Sequence, residues 1–231
     1  MVWRFGCVFV IAAGCYQPTL PERLACADGG RCPGAQACDP VYGECASFAL
    51  CAPPAVIDTF DGAEPCAPWG HTFGSAIVEV RDGALALTPS KINNGGCTVD
   101  AAIPFTPQGL FVEVAAVVDA GFTSFAIESG QATIQAGGGE LIVTSSVFGD
   151  SARVPYDAAA MRWWRLRPTE ADGVLGEYGP DGVHWSRLGG VPIEPPAAAL
   201  FELTVDTTVD APGTARLASL DLCPPGAQAP E

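Results

Sequence analysis

Basic side chains are scarce in this 231-residue chain: Lys and Arg total 11 against 26 Asp and Glu, for a formal net charge of −15. Nucleic acid binds proteins largely through Lys and Arg contacts to phosphate, so this balance excludes it as a partner. The acidic residues are spread thinly, with no block of five like charges, and read as a solvated surface. Histidine is scarcer still. His71 and His184 stand in separate segments, and neither His-Glu-x-x-His nor Gly-x-Ser-x-Gly occurs, which removes zinc-protease and serine-hydrolase signatures. Capped segments of 3.6-residue periodicity longer than about ten residues are missing, so helical folds are excluded. After the N-terminal stretch, every apolar run is broken by Gly, Pro or charge well short of the about 20 residues a bilayer requires, and no transmembrane helix is expected.

What the chain has in quantity is cysteine, glycine and proline: 10, 27 and 21 residues. With 48% hydrophobic residues it has apolar content for one sizeable core and a small satellite module. Ten cysteines indicate an oxidising compartment. Cys7 lies within the apolar N-terminal stretch and Cys15 at its end, so eight remain to pair in the mature body.

Residues 1–14 read as an export signal: Arg4 and the amino terminus, an apolar run from Phe5 to Ala13, then small residues. Ala12-Ala13-Gly14-Cys15 resembles the lipobox of bacterial lipoproteins. That resemblance implies cleavage before Cys15, acylation of its thiol and amine, and a membrane partner reached through the lipid anchor. One acyl chain holds marginally and two hold firmly, at about 0.8 kcal/mol per buried methylene. An ordinary secretory signal is the alternative. Tyr16 is not the Asp that marks inner-membrane retention, so the expected destination is the cell envelope, at the outer membrane or cell surface. Residues 15–25 form the lipidated cysteine and a linker.

Within residues 26–51, Cys26, Cys32, Cys38 and Cys45 lie among Gly29, Gly30, Pro33, Gly34, Pro40 and Gly43. So turn-rich a stretch cannot bury a core, and disulfides must order it. Of three connectivities, Cys26–Cys38 with Cys32–Cys45 is favoured. Zinc is disfavoured, because structural sites use gaps of about two to four residues between paired cysteines. The segment resembles the EGF-like or Dickkopf-like repeats of bacterial surface lipoproteins, which implies a stalk or a protein-binding module.

From residue 52 to 225, short apolar segments alternate with turn signals, as in an all-β antiparallel sandwich. Predicted strands are Ala76–Val80, Ala84–Leu87, Leu110–Val118, Ser124–Ile127, Thr133–Gln135, Glu140–Ser145, Arg162–Arg167, Leu200–Asp206 and Thr214–Leu222. Asp82-Gly83 supplies the positive φ angles of a tight hairpin. Alternation places Trp163 with Arg165 and Arg167 on one face and Trp164 with Leu166 on the other. Residues 226–231 form a tail.

The domain resembles the concanavalin A-like (LamG or DUF1349-type) jelly rolls. The resemblance is carried by Ile57-Asp58-Thr59-Phe60-Asp61 with Trp69, by Val80 to Leu87, by Arg162 to Arg167, and by the Glu177 to Trp185 unit with its Pro180-Asp181-Gly182 turn. Side-by-side termini in such a jelly roll imply a Cys51–Cys223 staple, which leaves Cys66–Cys97. The fold is nearly silent on function.

Carboxylates in the Glu-x-Asp-x-x-Glu pattern of glucanases on this fold are absent, and Glu170 and Asp172 read as solvated loop charges. Asp58, Asp61, Asp206 and Asp210 lack the regular spacing of a calcium loop, so neither metal nor cofactor is expected. Trp69, Trp163, Tyr178 and Trp185 offer planes for stacking on a sugar; the alternative places Trp163 or Trp164, Trp185 and Phe201 in the core. The expected function is a non-enzymatic binding or adhesion module for glycan or a surface protein. The competing readings are a degenerate or unrecognised carbohydrate-active enzyme and a structural envelope lipoprotein without ligand.

Overall fold

The computed structural model describes residues 24–26, 37–39, 44–46 and 56–222, the last without 91–93, 183, 208 and 211. Cys15, Cys32, Cys51, Cys223 and the tail lie outside the described residues. In the cysteine-rich segment, β1 (Leu24–Ala25), β2 (Ala37–Asp39) and β3 (Glu44–Ala46) form a small sheet of order β1-β3-β2. Cys45 is buried at its centre. Cys26 and Cys45 are disulfide-bonded. Their expected partners, Cys38 and Cys32, have side chains outside the described residues.

The main body is a two-sheet antiparallel sandwich. In chain order its strands are β4 (Val56–Asp58), β5 (Gly70–Gly74), β6 (Ile77–Val80), β7 (Leu85–Thr88), β8 (Gly95–Val99), β9 (Ile103–Pro104), β10 (Leu110–Ala116) and β11 (Phe122–Ile127). There follow β12 (Ala132–Gly137), β13 (Glu140–Ser145), β14 (Gly149–Pro155), β15 (Trp163–Thr169), β16 (Gly173–Gly179), β17 (Ser186–Val191), β18 (Ala198–Ala199), β19 (Phe201–Asp206) and β20 (Ala215–Asp221). One sheet runs β17-β16-β15-β10-β20-β7-β6 with β4 also paired to β20, making eight strands; the other runs β14-β13-β12-β11-β19-β8-β5. The pair β9 and β18 is separate.

Period-two patterning decides which side chains fill the space between the sheets. Leu110, Val112 and Val114 of β10, Trp164 and Leu166 of β15, and Leu217 and Leu220 of β20 meet Phe125 and Ile127 of β11, Ile134 of β12, and Leu203 and Val205 of β19. Trp164 is fully buried and donates its indole N–H to the Met161 carbonyl at 2.9 Å, so its one polar atom is satisfied. The predicted division of Arg162–Arg167 into two faces holds, with Trp163 outside this core.

Asp82 and Gly83 adopt φ of 51° and 66° in the two-residue turn between β6 and β7, as the sequence requires. Among the strands absent from the sequence expectation are β5, β8 and β14, whose Gly and polar content conceals them. Gly96 of β8 has a packing reason: a Cβ there would stand 1.9 Å from the Leu203 carbonyl oxygen of β19. Cys66 and Cys97 are joined, with Cα atoms 5.7 Å apart, and tie the β4–β5 connection to β8. The sandwich closes at one side where β5 turns through Ser75 and Ala76 into β6. At the other side β14 meets β17 so closely that a Cβ on Gly189 would lie 2.6 Å from the Ala152 Cβ.

Candidate functional site

The two outward faces differ. On the eight-stranded sheet, pairing sets Asp221, Phe111, Arg165 and Glu177 in one row across β20, β10, β15 and β16. Glu177 is fully buried and accepts from Arg165 Nε at 2.5 Å, Arg167 Nε at 2.9 Å and Arg167 Nη2 at 3.4 Å. Trp185 folds over this row from the loop after β16. The Arg165 guanidinium carbon lies 4.3 Å from the Trp185 ring centroid and 5.5 Å from that of Phe111. The Phe111 and Trp185 centroids are 5.4 Å apart, and Trp163 joins them in a second apolar cluster. This patch over β10, β15 and β16 is sealed, with Trp163 and Trp185 retaining 7% and 8% of their exposure, whereas Glu79 and Ile77 on β6 are exposed.

Asp221, also buried here, has its carboxyl pushed up to about 6, chiefly by desolvation. The Ser219 hydroxyl, which donates to it at 2.7 Å, opposes that shift, and the Glu113 charge adds to it. Glu113 is itself ion-paired to Arg162.

The outward face of the seven-stranded sheet carries a partly exposed polar strip, with Ala126, Thr133 and Ile142 buried within it. Register places Phe73, Gly96, Thr204, Ser124, Gln135, Ile142 and Arg153 in one row across all seven strands. His71, Thr98, Glu202, Ala126, Thr133, Thr144 and Asp150 form the next row. Thr204, Ser124, Gln135, Thr98 and Thr144 are half-exposed hydroxyl and amide groups. Phe122, 40% exposed, rests over Gly137, where a Cβ would stand 2.3 Å from its ring. Phe73, half-exposed on the outermost strand β5, gives the platform a second ring, about three strand spacings or ~14 Å away. Short donors and acceptors between apolar planes suit a flat polyhydroxylated ligand.

Carboxylates on this face are separated or engaged. Glu202 stands three strands across and four residues along from Glu140, about 20 Å, while Asp100, two residues beyond Glu202's cross-strand partner Thr98, is bonded to His71. Glu140 and Asp150 both clasp Arg153, at 3.0 and 2.6 Å.

The four side chains expected to offer stacking planes do not converge. Trp69 packs on Phe201, centroids 5.2 Å apart, and donates its indole N–H to Asp58 Oδ2 at 2.7 Å. Tyr178 is half-buried against the interior. Only Trp163 and Trp185 are brought together, on the sealed patch. The rings of the open face, Phe73 and Phe122, escaped the sequence reading; the signal was their alternation with interior residues on β5 and β11.

Asp58 has both oxygens engaged, since Oδ1 accepts the Phe60 amide at 2.7 Å. Among the described residues, no group of three or more His, Cys, Asp or Glu side chains is placed to hold a metal. Each histidine has an acidic neighbour, His71 with Asp100 at 2.5 Å and His184 with Asp181 at 2.7 Å, at opposite ends of the sandwich. Asp172, expected as a solvated loop charge, accepts from Arg187 Nη2 at 2.5 Å. The two line a groove of about 530 Å³ at the β14–β17 seam with Ser151, Gly189 and Gly190.

These features define an all-β, two-sheet antiparallel sandwich whose fold resembles the concanavalin A-like one. Among solved structures, the chain is similar to SCLam, a non-specific endo-β-1,3(4)-glucanase from family GH16, with TM-score 0.50 and 11% identity over 75% of this chain and 96% of that one. It also matches the potassium-bound carbohydrate recognition domain of Emp46p, with TM-score 0.43 and 10% identity over 65% of this chain and 87% of that one. A GH43 glycoside hydrolase with endo-xylanase and exo-arabinofuranosidase activity matches with TM-score 0.46 and 14% identity, over 77% of this chain and 42% of that one. No family model and no curated protein matches the sequence. At such identities the likeness is one of fold.

Proposed function

We propose that this chain is an exported envelope lipoprotein, anchored through Cys15, whose sandwich is a non-catalytic binding module with glycan as its ligand class. The observation that carries the reading is the contrast between the two outward faces. The eight-stranded sheet is covered over β10, β15 and β16 by its own Trp163, Trp185 and Arg165. The seven-stranded sheet leaves Ser124, Gln135 and Thr204 partly exposed in one row that Phe73 begins and Phe122 flanks. The EGF-like segment serves as the stalk between anchor and sandwich, and a surface protein is the alternative ligand.

A solved neighbour on this fold is a β-1,3(4)-glucanase, so β-glucans head the panel to try. The test is a glycan array read with wild type and with the Ser124→Ala/Gln135→Ala double variant, alongside a reducing-sugar assay on each bound glycan. Binding that the double variant loses at least tenfold, without release of reducing ends, supports the reading. Binding that survives the substitutions removes the site, and release of reducing ends shows a carbohydrate-active enzyme instead. Metabolic palmitate labelling of wild type against Cys15→Ala tests the anchor, and unlabelled wild type ends that part.

A further inference from the structure

We infer that the hairpin tip between β13 and β14 is a second, lipid-facing contact that rests on the bilayer holding the acylated Cys15. The inference depends on the lipid anchor proposed above.

Val147 and Phe148 form this tip and are the most exposed apolar pair of neighbours among the described residues, at 63% and 57%. Two adjacent apolar side chains at a turn call for a partner, because turns in water favour polar residues. Their amide donors are already satisfied. Ser146 N–H donates to the Gly130 carbonyl at 2.9 Å, while Val147 and Phe148 N–H donate to Ser145 Oγ at 3.1 and 3.4 Å. Leu200, exposed at the same end, exchanges its backbone groups with Glu128: its N–H donates to Glu128 Oε1 at 2.9 Å and its carbonyl accepts from Glu128 N–H at 2.8 Å. A tip whose amide donors are bonded internally enters an apolar phase without stripping those donors of water.

Topology selects lipid as the occupant. β10 runs away from Leu110 and β11 returns toward Ile127, so Leu110, Ile127, Ser145, Gly149 and Phe201 all lie at one end of the sandwich. Val56 pairs with Asp221, the last residue of β20, at that same end. The chain therefore enters the sandwich from the Cys15 side at the end where Val147, Phe148 and Leu200 project. Tethering raises the local lipid concentration, so a contact too small to bind a free protein to a membrane is sufficient for one already anchored. With a net charge of −15, the attraction is apolar and does not require anionic lipid.

The test uses the full lipidated chain reconstituted in phosphatidylcholine vesicles, with and without dibrominated-chain phosphatidylcholine. The variants are Phe148→Trp, and Ile77→Trp at the opposite end, each read as a difference spectrum against wild type. The Phe148→Trp indole is expected to be blue-shifted and quenched at least twofold by brominated chains, and the Ile77→Trp indole to be unaffected. Equal emission from both indoles with the protein co-floating overturns the inference and leaves the anchor standing. Wild type that fails to float with vesicles overturns both.

Discussion

Replacing Glu177 by Gln keeps the shape of a fully buried side chain and removes a charge paired to both Arg165 and Arg167. The two arginines are themselves nearly sealed, at 6% and 5% exposure, Arg165 beneath Trp185 and beside Phe111. Breaking a buried ion pair by neutralising one partner costs about 3–5 kcal/mol, because the remaining charge stays desolvated. For a domain of this size about 2–4 °C accompanies each kcal/mol, so Glu177→Gln should lower the thermal midpoint by roughly 10 °C. The control is Glu140→Gln, whose pairing with Arg153 at 3.0 Å is solvent-exposed and should be worth less than about 1 kcal/mol. Urea unfolding followed by tryptophan fluorescence reads both, with unchanged m-values expected. Equal midpoints for the two variants would refute the claim that this patch is closed to water.

Asp221 contributes a pH dependence of definite sign. Its folded-state value of about 6 lies above the ordinary 3.8, so between those values the native state holds the extra proton and stability falls as pH rises. Asp221→Asn should therefore gain about 1–2 kcal/mol over wild type at pH 7, and the gain should vanish by pH 4, as urea midpoints at the two pH values will register. Opening the Cys66–Cys97 bridge by the double alanine variant should cost about 3–4 kcal/mol for its separation of 31 residues, measured under non-reducing conditions. Trp69→Phe strands Asp58 Oδ2, which should cost about 1–2 kcal/mol by the same unfolding measurement.

Much of the architecture was legible where local chemistry and tertiary packing agree. Asp82-Gly83 demands the backbone it adopts, and the alternation of Arg162 to Arg167 separates Trp164 from Trp163 as found. Strands β5, β8 and β14 were not legible, because Gly95-Gly96 reads as a turn until the approach of β19 explains it, and the polar outermost strand β14 lacks an apolar stripe. The functional face was harder to read. Period two tells which residues share a face, but not whether that face is covered. Arg165, Arg167 and Glu177 have the pattern of a solvated surface, yet all three are buried, Arg165 beneath an aromatic lid drawn from a loop. Ser124, Gln135 and Thr204 have the same pattern and remain partly exposed. Only the path of Trp185 across the sheet separates the two cases.

The central claim is that the open face of the seven-stranded sheet is where ligand binds. Titrating the ¹⁵N-labelled protein with the oligosaccharide giving the strongest array signal, and mapping backbone amide shifts, tests it most directly. The account predicts shifts concentrated at Ser124, Gln135, Thr204 and their cross-strand neighbours, with Arg165, Glu177 and Trp185 unmoved. Shifts confined to the eight-stranded sheet, or none with any glycan of the panel, would contradict it.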